Sequence, residues 1–338
     1  MAENESAPAA PEKRRGVRPR ELATLMALVI VVALAGVWWF VSREDGAADL
    51  LPPPVNSESP VSYAGQFPSP DRPRLLNPLG LALGEDRLYV AESDASRIAV
   101  FRLDGKELGT IAVPVASGAA TAYPVDVSIV DTSTIAVVDT AGQRVLLLPA
   151  DPGASAHAVV VGDSTARTAP IQPTAVTAHG DEVFVADGVS HDIKVYDSTG
   201  AYLRTIGRAL RPALTFVGGM CVLGDALYVT DSNSGRVLVL DRVSGVRRSS
   251  FPDERALPRG IAPGPYDGLL VVDTFGRTID IVARSGAGIV SITDESAAQG
   301  GGLKSPRDVA WDPAVGRAYV TDASRGLVVV FNIVESAP

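Results

Sequence analysis

The stretch NPLGLALGEDRLYVAESDASRIAVFRLDGKELGTI, residues 77–111, contains the plan of most of the chain. Pro78 opens a short apolar run. A polar Gly-Glu-Asp turn separates it from a second run, Tyr89-Val90-Ala91, which ends in the acid Glu92. A third run opens five residues later at Arg97, and a fourth follows the turn at Gly105. Short runs rich in Val, Ile, Leu and aromatic residues, punctuated by Gly and Asp, read as strands rather than helices.

The unit recurs six times. Apolar runs end in the acids Glu92, Asp139, Asp187, Asp231, Asp273 and Asp322, spaced by 47, 48, 44, 42 and 49 residues. Five residues after each acid another apolar run begins, at Arg97, Arg144, Asp192, Arg236, Thr278 and Leu327. Upstream, five units open on a proline (Pro78, Pro124, Pro173, Pro258 and Pro306), whereas the fourth reads Val217-Gly218-Gly219-Met220. A period in the forties with about four short strands per unit is the signature of a β-propeller. One four-stranded sheet cannot bury both its faces, but sheets stacked radially cover one another. The pattern predicts an all-β, six-bladed β-propeller over residues 61–338. The last unit ends without a fourth strand. VSYAGQF, residues 61–67, resembles fourth strands such as AYLRTIG at 201–207. It is expected to pair into the sixth blade and close the ring, which removes an exposed sheet edge.

These units resemble the NHL-repeat family, which reads roughly Pro-x-Gly-apolar-Ala, then a run ending Val-Ala-Asp, then Arg-Ile-x-Val-Phe, then Asp-x-x-Gly. Residues 77–111 match almost throughout, and so do residues 172–207, QPTAVTAHGDEVFVADGVSHDIKVYDSTGAYLRTIG. The resemblance implies an NHL-like propeller but no single activity, since the family spans binding modules, sensors and enzymes. A WD40 propeller fits less well, because the one Trp-Asp pair, Trp311-Asp312, falls in an inner strand.

Ahead of the repeats, residues 1–21 are polar and carry Lys13, Arg14, Arg15, Arg18 and Arg20. Residues 22–41, LATLMALVIVVALAGVWWFV from Leu22 to Val41, carry no charge. As a helix they would span about 30 Å, the thickness of a hydrocarbon core, with Trp38, Trp39 and Phe40 at an interface. Five cations precede the run and only Arg43 follows closely. The positive-inside rule then keeps the N-terminus cytoplasmic and exports the rest. The bulky end of the run argues against a cleaved signal peptide, which ends in small residues. The expectation is a single-pass cell-membrane protein with an uncleaved transmembrane α-helix. Residues 42–60, with Pro52-Pro53-Pro54, read as a stiff linker.

The composition excludes several classes. With 46% hydrophobic and 20% charged residues, most of the chain is not disordered. The net charge is −9, and the part beyond residue 41 holds 25 basic and 35 acidic residues, so nucleic-acid binding is not expected. The single cysteine, Cys221, forms no intrachain disulfide and reads as a buried strand residue.

A carboxylate needed in every blade belongs to the architecture. Each repeated acid ends a strand before a tight turn, where it is expected to accept backbone N–H bonds. Some NHL-like propellers are lyases that hold zinc with converging histidines. Here, of His157, His179 and His191, the last two fall in turns on opposite faces of the disc, so no metal or other cofactor is expected. There is no Gly-x-Ser-x-Gly elbow, and Gly300-Gly301-Gly302 lacks the P-loop lysine and serine. The uneven feature is basic. On the face shared by the blade connections and the second-to-third-strand turns, blades four to six carry Arg208, Arg211, Arg255, Arg259, Arg277, Lys304, Arg307 and Arg325. Phe275 lies on that side too, with the acids Asp253, Glu254, Asp294 and Glu295. Arg259 and Arg307 each follow an opening proline and are expected at the channel mouth. Guanidinium forks suit carboxylate and phosphate, so Arg259, Arg307, Arg277, Arg325, Arg211 and Phe275 form the candidate binding set. The functional expectation is a membrane-tethered extracytoplasmic binding or scaffold module for a protein, peptide or envelope ligand. The competing one is a propeller lyase or hydrolase, with or without a metal, acting at the channel mouth.

Overall fold

The structure is a computed structural model that describes residues 60–69, 71–154, 158–162, 169–170, 172–252, 256–293 and 302–335. The expected membrane helix, the basic segment before it and the linker up to residue 59 lie outside the described residues. So do His157, Asp253, Glu254, Arg255, Asp294, Glu295, Gly300 and Gly301. Among the described residues no helix is long and apolar enough to cross a membrane.

Strand β1 is Val61–Phe67. The first blade follows as β2 (Pro78–Leu83), β3 (Arg87–Glu92), β4 (Arg97–Arg102) and β5 (Glu107–Ala112). The second is β6 (Pro124–Asp131), β7 (Thr134–Asp139), β8 (Arg144–Pro149) and a two-residue β9 (Val159–Val160). The third is β10 (Pro173–His179), β11 (Glu182–Asp187), β12 (Asp192–Asp197) and β13 (Tyr202–Ile206). The fourth is β14 (Val217–Leu223), β15 (Ala226–Asp231), β16 (Arg236–Asp241) and β17 (Arg247–Pro252). The fifth is β18 (Pro258–Pro263), β19 (Leu269–Asp273), β20 (Thr278–Val282) and β21 (Gly288–Ile292). The sixth contains β22 (Pro306–Asp312), β23 (Arg317–Asp322) and β24 (Leu327–Ile333), and β1 is its outer strand. The chain is therefore a six-bladed propeller of antiparallel four-stranded sheets. It is closed by its first strand, from Val61 opposite Ile333 to Phe67 opposite Val328.

The ring is held by alternation along each strand. In β3, Leu88 and Val90 pack against the sixth blade, while Tyr89 and Ala91 pack against the second. Because both faces are covered, the second strands read as continuous apolar runs rather than alternating ones. Six apolar cores result, one between each pair of neighbouring blades. The inner strands β2, β6, β10, β14, β18 and β22 contact one another in sequence around the axis, and β22 returns to β2.

The repeated acids tie each blade together. Asp139 accepts N–H bonds from Tyr123, just before β6, and from Gly142 in the following turn. Asp273 accepts from Ala256, Leu257, Phe275 and Gly276. The residue after each acid donates its N–H to the residue before the inner strand in all six blades, as Thr140 does to Tyr123 and Ser232 to Phe216. The blade connections and the second-to-third turns therefore share one face. The strand opening five residues later supplies a cation in three blades: Arg97 pairs with Glu92, Arg144 with Asp139 and Arg236 with Asp231. In the third blade that position is Asp192, and Lys194 takes over the pairing with Asp187.

Each inner strand also carries a bulge at its start. The register slips by one residue directly after Pro78, Pro124, Pro173, Val217, Pro258 and Pro306. A bulge re-aims the side chain of the extra residue. This one detail of backbone places the candidate site.

Candidate functional site

The inner strands of all six blades enclose a channel of about 500 Å³, within the usual range for a small-molecule site. The side chain that follows the opening residue of each inner strand sits in the bulge. In the third, fifth and sixth blades these are Thr174, Arg259 and Arg307, and all three line the channel. They share a further property. Among the described residues, the buried side-chain polar atoms without a hydrogen-bond partner are Thr174 Oγ1, Arg259 Nε, Arg307 Nε and Arg242 Nε. Three of the four thus fall at one register position around one mouth. Buried donors are normally satisfied, so each exception needs a reason.

Arg259 is held by a ring rather than by a carboxylate. The Arg259 guanidinium carbon lies 4.8 Å from the centroid of the Phe216 ring, a cation–π contact. A Cβ on Gly218 would come within 3.2 Å of Arg259 Cδ, so the bare backbone there makes room for this side chain. Gly218 of Val217-Gly218-Gly219 thus fits its place beside Ser232 and Arg259. Burial pulls the Arg259 pKa below its usual value, and the charge of Arg307 adds to the effect. Burial does the same to Arg307. Both stay cationic at any ordinary pH.

One residue further along the strands stand Asp126 and Asp308, where the other blades have Gly80, Ala175, Gly219 and Gly260. Each carboxylate reaches the neighbouring blade. Asp126 accepts the N–H of Val176, and Asp308 that of Leu81, both at 2.8 Å. Each also accepts the N–H of its own successor, Val127 or Val309, at 2.9 Å. Gly260 allows this approach, since a Cβ there would lie 2.4 Å from Asp308 Oδ1. Burial is the main cause that raises the pKa of both carboxyls; the charge of Asp308 raises Asp126 further, against the lowering by the N–H bonds. The folded values thus exceed the ordinary value of about 3.9. Their stabilising contribution is complete below that value and is lost as the pH rises through the folded values. The melting temperature of the wild type is expected to fall more steeply between pH 5 and 8 than that of the Asp308→Asn variant. Parallel melting curves would show that these carboxyls titrate normally.

Deeper still the walls are apolar, with Met220 and Ile261, then Leu83, Ile129 and Trp311 at the far mouth. Cys221 faces this region and is 5% exposed. Burial, with the charge of Asp308, raises its pKa and keeps the thiol protonated.

The remaining candidates lie elsewhere. Arg325 donates to the Gly302 carbonyl and to Gln66 Oε1, which ties the closing strand to the sixth blade. Arg211 donates to the Leu210 carbonyl, and Arg208 pairs with Asp192. Phe275 and Arg277 are exposed in the turn after β19. None of these lines the channel. His179 ends β10, and His191 sits in the turn before β12. They flank opposite ends of β11, about 17 Å apart at strand rise, and no cluster suited to a metal occurs among the described residues. Sequence reasoning missed Thr174, Phe216, Asp126 and Asp308. The signal for the two acids was available, as aspartates at an inner-strand position that is otherwise Gly or Ala.

Solved structures of similar fold include two lyases. A streptogramin B lyase aligns with a TM-score of 0.56 at 13% identity, over 80% of this chain and 97% of that chain. A virginiamycin B lyase from Staphylococcus aureus gives 0.55 at 12%, over 81% and 99%. The WD40 β-propeller domain of Doa1 gives 0.56 at 10%, over 81% and 98%. No family model and no curated protein matches the chain in sequence. At these identities the likeness is one of fold, so the comparisons identify the chain as a β-propeller similar to both lyases and a WD40 module.

Proposed function

We propose that the chain is a membrane-tethered, extracytoplasmic binding module of the NHL type, whose channel mouth takes an anionic group of a protein, peptide or envelope ligand. The observation that carries the reading is the layer of Thr174, Arg259 and Arg307. Three buried donors left open around one mouth call for a group that only accepts hydrogen bonds, and two guanidinium forks favour carboxylate or phosphate. The uncharged run at residues 22–41, with its flanking cations, supports the tether. The lyase reading has only the fold of its neighbours behind it and comes second.

The test uses the full chain in detergent and inorganic phosphate as probe, against chloride at matched ionic strength. Phosphate at ten times its dissociation constant stabilises the bound fold by about 1.4 kcal/mol, a rise of several degrees in melting temperature. The rise is expected to vanish in the Arg259→Glu/Arg307→Glu variant. An equal rise in both proteins, or none in the wild type, removes the anion site. The chain is expected to stay with membranes through an alkaline carbonate wash; its release would remove the tether.

A further inference from the structure

The channel holds two layers of opposite chemistry, a cationic one and a pair of buried carboxyls that part with their protons less readily than exposed ones. Arg259 and Arg307 form the outer one, and no carboxylate pairs with either among the described residues. Asp126 and Asp308 form the inner one, one residue further along the strands, where about 3.3 Å separates successive residues. Their hydrogen-bond partners among the described residues are backbone N–H groups. The two layers do not neutralise each other. Asp308 turns toward Leu81 in the first blade, while the bulge aims Arg307 toward Arg259 of the fifth. Within each layer the two side chains are close enough to affect one another's ionisation.

A cation beside the inner pair favours its ionised form, so the electrostatic complement of such a channel is a dipole with its negative end outward. Resting on the anion-binding reading above, we propose that the ligand is a zwitterion. Its carboxylate sits at Arg259 and Arg307, its primary ammonium points inward to Asp126 and Asp308, and a short aliphatic spacer lies between the two layers along the wall at Val125. The ammonium has three donors, and each aspartate oxygen keeps a free lone pair beside the N–H bond it already accepts. A purely anionic ligand with an apolar tail would leave the two carboxyls buried against hydrocarbon, which is unfavourable. The zwitterion satisfies both layers at once.

Isothermal titration of the full chain with 5-aminopentanoate, pentanoate and 5-acetamidopentanoate tests this. The three share the carboxylate and differ in the inner end. The expected result is at least tenfold tighter binding of 5-aminopentanoate than of either other compound. In the Asp126→Asn/Asp308→Asn variant that ratio is expected to fall to near one while pentanoate binding persists. The wild-type comparison with the acetamide decides the matter even if the variant does not fold. Pentanoate binding as tightly as 5-aminopentanoate would overturn the inner subsite and leave the mouth intact. If neither pentanoate nor phosphate binds, while 5-aminopentanoate also fails, the mouth itself is overturned.

Discussion

Deleting residues 61–67 is expected to lower the melting temperature by more than 10 °C and to make the protein prone to self-association. The strand removed is the outer member of the sixth blade, paired to β24 along its whole length. Its loss leaves the N–H and C=O groups of β24 as an open edge, which is a template for aggregation. It also removes Phe67, which is 5% exposed and packs against the Phe101 ring at 5.0 Å and the Tyr319 ring at 6.4 Å. That side chain belongs to the core between the sixth and first blades, where the ring is joined. Phe67→Ala alone should cost about 3–5 kcal/mol, read as a shift in the denaturation midpoint. The register supplies a stringent control. Val61 lies opposite Ile333, so VSYAGQF attached through a tight turn after Ile333 would re-enter the same antiparallel slot as a hairpin. The relocated strand is expected to restore most of the lost stability. A deletion that melts like the wild type would mean that the ring does not depend on this closure.

The same strand shows what could be read from the sequence and why. VSYAGQF was legible because a fourth strand is a local pattern, and the last unit visibly lacked one. The prolines, acids and third-strand starts were legible for a related reason. Each marks a bulge, a turn or a strand end whose hydrogen bonds are made within one blade. The bulge itself was not visible, and it decides which side chains enter the channel. Arg259 and Arg307 could be placed there from their position after proline. Thr174 occupies the same position in the third blade but carries no charge to draw notice. The basic face was assigned by face and not by partner, and the partners of its cations could not be read from the sequence. Arg325 is engaged with Gly302 and Gln66, and Arg208 with Asp192. Partners more than ten residues away in sequence are set by the packing of the ring. Asp126 and Asp308 were missed for the same reason, since their role lies in bonds to blades fifty residues or more from them.

A single-residue effect as large as that of Phe67→Ala is expected at Lys194 in the third blade. Its side chain is 4% exposed, and its Nζ donates to Asp187 Oδ2 at 2.6 Å, Asp192 Oδ1 at 3.1 Å and Ser190 Oγ at 2.8 Å. Both aspartates have fully buried side chains. In the first, second and fourth blades an arginine at the start of the third strand pairs with the acid. Here the edge position is itself an acid, Asp192, so two carboxylates meet and one interior lysine answers both. Arg208 reaches Asp192 from a 72% exposed side chain, and its contribution is weakened by solvent. Lys194→Met keeps the volume but leaves two buried carboxylates short of their cation. Removing one partner from a buried ion pair costs about 3–5 kcal/mol, which should appear as a matching fall in the denaturation midpoint. Arg97→Met in the first blade removes a cation whose side chain is 41% exposed and should cost much less, because water can reach its site. Adding Asp192→Asn to Lys194→Met should recover part of the loss, since one of the two stranded charges is then gone. A Lys194→Met protein with an unchanged midpoint would show that Asp187 is held by its backbone donors alone, and the third blade would then need no cation at all.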